Sequence, residues 1–149
     1  LENNKETIII RTSWLYSEFN KNFVKTMLNL FSQKDELNIV SDQFGQPTNA
    51  SDLAETIMHI VNYPNKKFGI YHFSNEPETT WYDFAKKIAE FSKSNIKLHP
   101  ITTEQFPTAA KRPKRSTMSL EKIEQDYKIE LKNWENSLEE CINILMNQE

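Results

Sequence analysis

The chain has 149 residues, 38% of them hydrophobic, and a formal net charge of −3, so it holds enough apolar sequence to bury one domain core. The acidic balance argues against binding nucleic acid over a broad surface, and no apolar run approaches the roughly 20 residues of a membrane span. A single cysteine, Cys141, excludes an internal disulfide framework, and two distant glycines, Gly45 and Gly69, exclude a glycine-rich dinucleotide loop within this sequence.

The first half of the chain is predicted to begin with a buried strand and to continue with helices and strands in alternation. The β-branched run over 7–12 is typical of a strand covered on both faces in a parallel sheet. A helix with one apolar face is predicted over 22–31 and an alternating strand over 36–40. Residues 42–49 contain a glycine and a proline and are expected to form a loop.

A second helix is expected to follow this loop and to end at Pro64. Ser51 is the predicted N-terminal cap, and the acidic residues Asp52 and Glu55 would favour the positive end of the helix dipole. Hydrophobic residues at helical spacing predict one stripe that packs on the core. These residues are Leu53, Ile57, Ile60 and Val61.

The second half of the chain repeats this alternation of strands and helices. In chain order, the pattern predicts a strand over 70–74, a helix over 81–94 that Thr80 caps, a strand over 96–101, a one-turn helix at 102–106, a helix near 119–126 and a helix over 134–146. Strands that alternate with helices in this way predict the α/β fold class.

The segment PTAAKRPKRS, residues 107–116, concentrates positive charge between prolines in a chain that is acidic as a whole. It is either a solvated surface loop or a clamp for an anion. Arginine can hold a phosphate with two parallel hydrogen bonds, and the prolines limit the entropy that the loop loses on binding. Because no aromatic residues alternate with these charges, a small phosphorylated ligand fits better than a nucleic acid. The positively charged residues are Lys111, Arg112, Lys114 and Arg115.

Polar and aromatic residues follow the first predicted strand, at the end where ligands gather in α/β sheets. Trp14 is either a core residue or a platform for a ligand, and the neighbouring Thr12 and Ser13 favour a site. Tyr82 and Lys86 share the spacing of a dehydrogenase tyrosine–lysine pair, but such spacings are common on helices, so we interpret them as a chance match. The three histidines lie on different predicted elements without further ligands nearby, which argues against a metal site.

Several short motifs, taken together, resemble one known family. The motifs RTSWLY, NFVKTML, DQFGQPT, GIYHFS and TTWYDFA occur in this order and, with the later AAKRP and NW, cover nearly the whole chain. The ordered set is similar to the carboxyl-terminal half of the dTDP-4-dehydrorhamnose reductases, which are extended short-chain dehydrogenase/reductases. The opening residues lack an initiator methionine and lead at once into a strand, so we expect the chain to be part of a longer protein.

The resemblance implies an α/β fold in which residues 1–149 form the substrate-binding carboxyl-terminal portion. Residues 1–16 would contribute a strand and a loop to a Rossmann-like sheet, of which the chain holds one or two strands, while the amino-terminal dinucleotide-binding domain is absent. The catalytic tyrosine and lysine of the family belong to that domain. The resemblance therefore places no catalytic residue in this chain, and it implies that the chain alone is inactive.

Members of the family use NADPH or NADH, bound mainly by the absent domain, to reduce dTDP-4-dehydro-L-rhamnose to dTDP-L-rhamnose for cell-surface polysaccharide. By position, Trp14, Gln43 and Arg112 match substrate-binding residues, and Arg112 would face the diphosphate of the substrate. Thr12 and Ser13 would lie beside the nicotinamide of the cofactor.

The resemblance also implies a partner and a location. The partner would be a dTDP-sugar, and the protein would lie in the cytoplasm. It would bind no nucleic acid, membrane or metal. A homodimer of the full-length protein is left open. Two alternatives stay open as well. One is a non-catalytic, reductase-like regulatory subunit, and the other is a reductase or epimerase of another nucleotide sugar.

Overall fold

The computed structural model describes residues 3–107 and 112–147, along which helices and short strands alternate. No helix within these ranges is long and apolar enough to span a membrane. The strands are β1 (Ile8–Arg11), β2 (Leu15–Tyr16), β3 (Glu36–Val40), β4 (Phe44–Gly45), β5 (Thr48–Asn49), β6 (Gly69–His72), β7 (Thr79–Thr80) and β8 (Lys97–Ile101). The helices are α1 (Phe23–Phe31), α2 (Ala50–Asn62), α3 (Trp81–Phe91), α4 (Glu121–Tyr127) and α5 (Trp134–Met146), with a one-turn 3-10 helix at Thr103–Gln105.

The strands pair in four two-stranded sheets within the described residues, and three of these sheets are parallel. β1 pairs with β6 from Ile8 opposite Gly69 to Arg11 opposite His72. β3 pairs with β8 and β2 pairs with β5, whereas β4 and β7 are antiparallel. Helices lie in the connections between the parallel partners, as parallel pairing requires. The predicted α/β class is therefore confirmed.

Two hydrophobic clusters form the interior. The first lies among α1, α3, α5 and β3 and contains the fully buried Phe84, Ile88 and Leu138. The second packs α2 and α4 against β6, around the buried rings of Tyr71 and Tyr127. The apolar residues are thus divided between two clusters, and contacts between the clusters hold the two parts of the structure together.

Side chains cap α1, α2, α3 and α5 by accepting backbone N–H groups of the first helical turn. Asn22 caps α1, and Thr80 caps α3 as predicted. The prediction that Ser51 caps α2 is wrong, because the Asn49 side chain accepts the N–H groups of Ser51 and Asp52. The helix therefore starts directly after β5.

The predicted apolar stripe of α2 is also wrong in part. Ile60 is buried, but Ile57 and Val61 are 40% and 53% exposed. The helix instead turns Asp52 and Thr56 inwards, because Asn75 and Ser137 in the interior donate hydrogen bonds to the Asp52 carboxylate. Hydrophobic spacing alone could not show that a polar side chain takes the buried position.

Residues 42–49 are not a simple loop, as predicted, because they contain β4 and β5. Both strands are two residues long and form because distant segments pair with them. β1 also differs from its prediction. Ile8 and Ile10 pack on the second cluster, whereas Ile9 on the other face is 38% exposed within the described structure. The other predicted helices and strands are present, with bounds shifted by at most a few residues.

Candidate functional site

A cleft of about 630 Å³ opens between α1, β3 and the start of α3. Most of its wall is apolar, and a few polar side chains, among them Gln43, Gln105 and Arg112, face it. This combination is typical of a site for an organic ligand that carries charged groups. The apolar and aromatic lining residues are Phe23, Met27, Leu30, Leu37, Ile39, Val40, Trp81, Ile101 and Phe106.

The structure brings Gln43 and Arg112, two of the predicted substrate-binding residues, to the same cleft. Gln43 is 7% exposed, and its Nε2 donates to Oγ1 of Thr103 at 3.1 Å. The backbone N–H and the hydroxyl of Thr103 both donate to Oδ1 of Asp42, at 2.8 and 2.7 Å. These hydrogen bonds from Thr103 lower the pKa of Asp42. Gln43 is thereby fixed against the 3-10 helix, whose Gln105 also faces the cleft.

The basic segment is not a freely solvated loop along its described part, because its backbone docks on β4. The N–H of Phe44 donates to the carbonyl of Lys114 at 2.8 Å, and the Phe44 carbonyl accepts the N–H of Ser116 at 2.9 Å. This register places Arg115 beside Phe44, while Arg112 faces the cleft. Lys111, the fourth predicted cation, lies outside the described residues.

Trp14 does not line the cleft but stacks on Trp81, which does. The two ring centres are 3.6 Å apart and the rings are nearly parallel, at 14°. Trp14 has a φ of 47°, a left-handed value that a bulky residue seldom adopts. Its ring also approaches the backbone at Gly45, where a Cβ would lie 2.5 Å from Cε2 of Trp14. The predicted contact between Trp14 and the substrate stays a prediction, and Trp81, which no motif in the sequence indicated as a site residue, is a further candidate.

Thr12 and Ser13 hold residues 42–49 at the end of β1. Oγ1 of Thr12 donates to Oγ1 of Thr48 at 2.9 Å, and Oγ of Ser13 donates to the carbonyl of Gln46 at 3.0 Å. Their predicted place beside a nicotinamide stays a prediction. The observed contacts show that both hydroxyls also shape the segment that carries Gln43.

A buried network, which we call the polar seam, joins α2, the residues after β6 and α5. It consists of Asn49, Asp52, Asn75 and Ser137, each at most 7% exposed. Nδ2 of Asn75 and the hydroxyl of Ser137 both donate to Oδ2 of Asp52 at 2.6 Å, and the N–H of Asn49 donates to Oδ1 of Asn75 at 2.8 Å. Because α5 belongs to the first cluster and α2 to the second, the seam lies where the two clusters meet. No local pattern in the sequence indicated it.

A lysine balances the charge of the polar seam. Nζ of Lys132 lies 2.8 Å from Oδ1 of Asp52 and 2.7 Å from Oε2 of Glu55. Burial alone would raise the pKa of Asp52, but hydrogen bonds from Lys132, Ser137 and Asn75 outweigh burial and leave this pKa below its ordinary value. Hydrogen bonds to the carboxylates of Asp52 and Glu55 raise the pKa of Lys132. The Asp52 carboxylate is therefore ionised at neutral pH. The polar seam also holds Asn49, the last residue of the segment 42–49 that carries Gln43 to the cleft.

Tyr82 and Lys86 are placed by α3 and contact each other there. The Tyr82 hydroxyl donates to the carbonyl of Leu98 at 3.4 Å, and Nζ of Lys86 lies 5.5 Å from the centre of the Tyr82 ring. Neither residue lines the cleft. Within the part of the chain that the structure describes, no group of three or more histidine, cysteine or acidic side chains could hold a metal ion.

Comparison with known proteins identifies the family. The model of the RmlD substrate binding domain matches residues 1–147. The dTDP-4-dehydrorhamnose reductase of Aggregatibacter actinomycetemcomitans is 41% identical over 143 residues, which cover 89% of this chain and 49% of the relative. The reductase of Escherichia coli K12 is 37% identical over 147 residues, which cover 93% of this chain and 49% of the relative. The chain thus spans about half the length of the curated relatives it matches.

Solved structures show the same likeness. A dTDP-4-dehydrorhamnose reductase from Clostridium acetobutylicum is 40% identical, with a TM-score of 0.87, and the match covers 93% of this chain and 49% of that one. The reductase of Bacillus anthracis, in complex with NADP, is 34% identical with a TM-score of 0.88, and the match covers 96% of this chain and 50% of that one. These matches confirm the resemblance that the motifs indicated, and the chain belongs to the RmlD substrate binding domain family.

Proposed function

We propose that this chain is the substrate-binding part of a dTDP-4-dehydrorhamnose reductase and that its cleft binds the nucleotide of a dTDP-sugar. The observation that carries the proposal is the presence of Gln43 and Arg112 together in one apolar cleft of about 630 Å³. A volume of this order accommodates an organic ligand. The ring of Phe106, which is 55% exposed, offers a surface on which a base can stack, and the Arg112 guanidinium can hold a diphosphate with paired hydrogen bonds.

The longer protein that carries this chain would use NADPH or NADH to reduce dTDP-4-dehydro-L-rhamnose to dTDP-L-rhamnose in the cytoplasm. The names of the relatives support this reaction, and the Bacillus anthracis relative was solved with NADP. The nicotinamide would supply the hydride. The residues of this chain would bind the sugar nucleotide and orient it, with Trp14 on the sugar side and Thr12 and Ser13 on the cofactor side.

In this proposal residues 1–16 belong to a dinucleotide-binding sheet that continues beyond the chain. Two features of β1 support the assignment. First, β1 pairs in parallel with β6, and parallel strands are normally covered on both faces. Second, the face of β1 that carries Ile9 is not covered in the described structure, where Ile9 is 38% exposed, so this face is suited to packing against further protein.

Replacing Arg112 by alanine in the full-length protein tests the proposed function. If Arg112 binds the diphosphate, titration calorimetry with dTDP should show a loss of about 1.5–3 kcal/mol, the range for hydrogen bonds to charged groups. This loss is roughly a ten- to hundredfold weaker affinity. Arg112→Lys should recover only part of it, because an ammonium cannot reproduce the planar guanidinium.

Lys114→Ala is the matched control for this experiment. Lys114 is exposed and contacts β4 through its backbone carbonyl, which the substitution keeps. Its removal should change the dTDP affinity little, and any change should fade with added salt. If Arg112→Ala binds dTDP as tightly as the parent, the proposed role of the cleft is wrong.

A further inference from the structure

Glu78, which lies between β6 and β7, contacts the side chains of two residues of the basic segment. Its Oε1 accepts a hydrogen bond from the Arg115 guanidinium at 2.9 Å, and its Oε2 accepts one from the Thr117 hydroxyl. The Glu78 side chain is 27% exposed, whereas that of Arg115 is 67% exposed. Both oxygens of one carboxylate therefore bind the stretch of chain that follows Arg112.

β4 lies in the middle of this arrangement. It pairs with β7, with Phe44 opposite Thr80, and the basic segment docks on it with Arg115 beside Phe44. Glu78 directly precedes β7, so its carboxylate joins the two neighbours of β4. The Arg115 guanidinium also lies over the Phe44 ring, 5.5 Å from the ring centre. Arg115 is thus held by a carboxylate, a ring and its own backbone register.

The docked segment sets the position of Arg112. Only Pro113 separates Arg112 from Lys114, whose carbonyl is bonded to Phe44, and the proline ring fixes one backbone angle between them. Gln43 directly precedes Phe44 on the other strand of this contact. Because the pairing is parallel, Gln43 and Arg112 leave it in the same direction, and both face the cleft. A slide of the segment along β4 would move Arg112 relative to Gln43.

We propose that Glu78 is a positioning residue, which fixes Arg112 at the cleft by holding Arg115 and Thr117 against β4. The inference deepens the proposed function and rests on it for the ligand, a nucleotide that carries a diphosphate. An exposed ion pair of this kind contributes little to stability. We therefore expect replacement of Glu78 to change dTDP binding with little effect on folding. Glu78 also neutralises Arg115, so that the charges of the basic segment have different tasks and Arg112 is the one that faces the ligand.

The two roles that Glu78 could have predict changes of opposite sign. A carboxylate that acts only as a negative charge near the cleft would repel a diphosphate, so its removal would strengthen binding. A carboxylate that positions Arg112 would have the reverse effect, and its removal would weaken binding. Glu76 provides the matched control, because it is an exposed acid two residues earlier in the same connection.

The test measures dTDP affinity of the full-length protein by titration calorimetry and thymidine affinity by an NMR titration. Glu78→Ala should weaken dTDP binding roughly fivefold or more, because Arg112 must then be ordered on binding. Glu76→Ala should leave dTDP binding unchanged or slightly stronger. Thymidine, which has no phosphate, should bind equally to all variants.

Two further variants keep the test decisive if Glu78→Ala folds poorly. Thr117→Val removes one hydrogen bond to Glu78 without changing any charge, and it should weaken dTDP binding roughly twofold. The exchanged pair Glu78→Arg with Arg115→Glu should bind dTDP more tightly than either single variant, because the ion pair is restored in reverse.

The outcomes separate the inference from the proposed function. If Glu78→Ala binds dTDP as tightly as the parent or more tightly, the inference is overturned. An equal loss of thymidine affinity would also overturn it, since the effect would then be a general loss of structure. A parent protein that binds no dTDP overturns the proposed function and the inference with it. Weak binding by Arg112→Ala beside normal binding by Glu78→Ala and Thr117→Val overturns the inference alone.

Discussion

Replacing Gly45 by alanine tests whether Trp14 is held as closely as the structure shows. A Cβ on residue 45 would lie 2.5 Å from Cε2 and 2.6 Å from Cζ2 of Trp14, and 2.8 Å from Oγ of Ser116. Ordinary van der Waals contact begins at 3.4 Å, so the ring would have to move from 2.5 to 3.4 Å, a retreat of about 0.9 Å. That movement would disturb the stack on Trp81, whose ring centre is 3.6 Å away.

We expect Gly45→Ala to lower the free energy of unfolding by about 1–3 kcal/mol, the range for overfilling a well-packed site. The backbone of Gly45 is not in the left-handed region, so the overlap accounts for the cost and conformational strain does not. The assay is urea unfolding of the chain, followed by tryptophan fluorescence and fitted to a linear dependence on urea. The same variant should weaken dTDP binding, because Trp81 lines the cleft.

The background Trp14→Ala supplies the control for this prediction. Alanine has no atoms at the positions of Cε2 and Cζ2, so the overlap of the indole with an alanine at residue 45 should be relieved and the cost of Gly45→Ala should fall by roughly 1 kcal/mol or more. If Gly45→Ala changes stability by less than about 0.5 kcal/mol, the close approach is not real. An equal cost in both backgrounds would show that Trp14 is not the residue in the way.

Two other predictions concern buried ionisable groups. Burial raises the pKa of Cys141 to about 12, so the native chain should resist iodoacetamide at pH 8 and react readily in urea, and rapid native alkylation would contradict its burial. The pKa of Asp52 is lowered in the native chain, so its stabilising effect should be complete above about pH 3.9, the ordinary aspartate value, and lost as the pH falls through the native pKa. Urea unfolding should therefore show a deficit for Asp52→Asn at pH 7 that shrinks in acid, whereas a deficit independent of pH would refute the assignment.

The elements that local sequence determines were predicted well. α5 spans the predicted residues because Leu138 and Ile142 repeat at helical spacing and both are buried. α2 shows the limit of this reasoning, since Ile57 and Val61 fit the same spacing but are exposed. The rotation of α2 depends on Asp52, whose partners come from distant parts of the chain. A single helix carries no sign of such partners.

The candidate site was predicted in part, and for a similar reason. The family motifs selected Gln43 and Arg112, and the structure brings both to the cleft. Trp81 was missed, because an aromatic residue at the start of an amphipathic helix fits the core equally well. Glu78 was missed because its contact with Arg115 joins residues 37 positions apart through the pairing of β4 with β7. Contacts set by strand pairing cannot be deduced from one stretch of sequence.

The polar seam also restricts how this chain can change over evolution. Hydrophobic burial has no direction, so residues inside either cluster can be exchanged for others of similar volume at modest cost. The hydrogen bonds to Asp52, at 2.6 Å, tolerate only a narrow range of lengths and angles. A substitution that shifts α5 against α2 would take the Ser137 hydroxyl away from this buried carboxylate, and better apolar packing would not repair that loss. Sequence variation should therefore be freer within each cluster than across their boundary, where changes would have to occur in pairs.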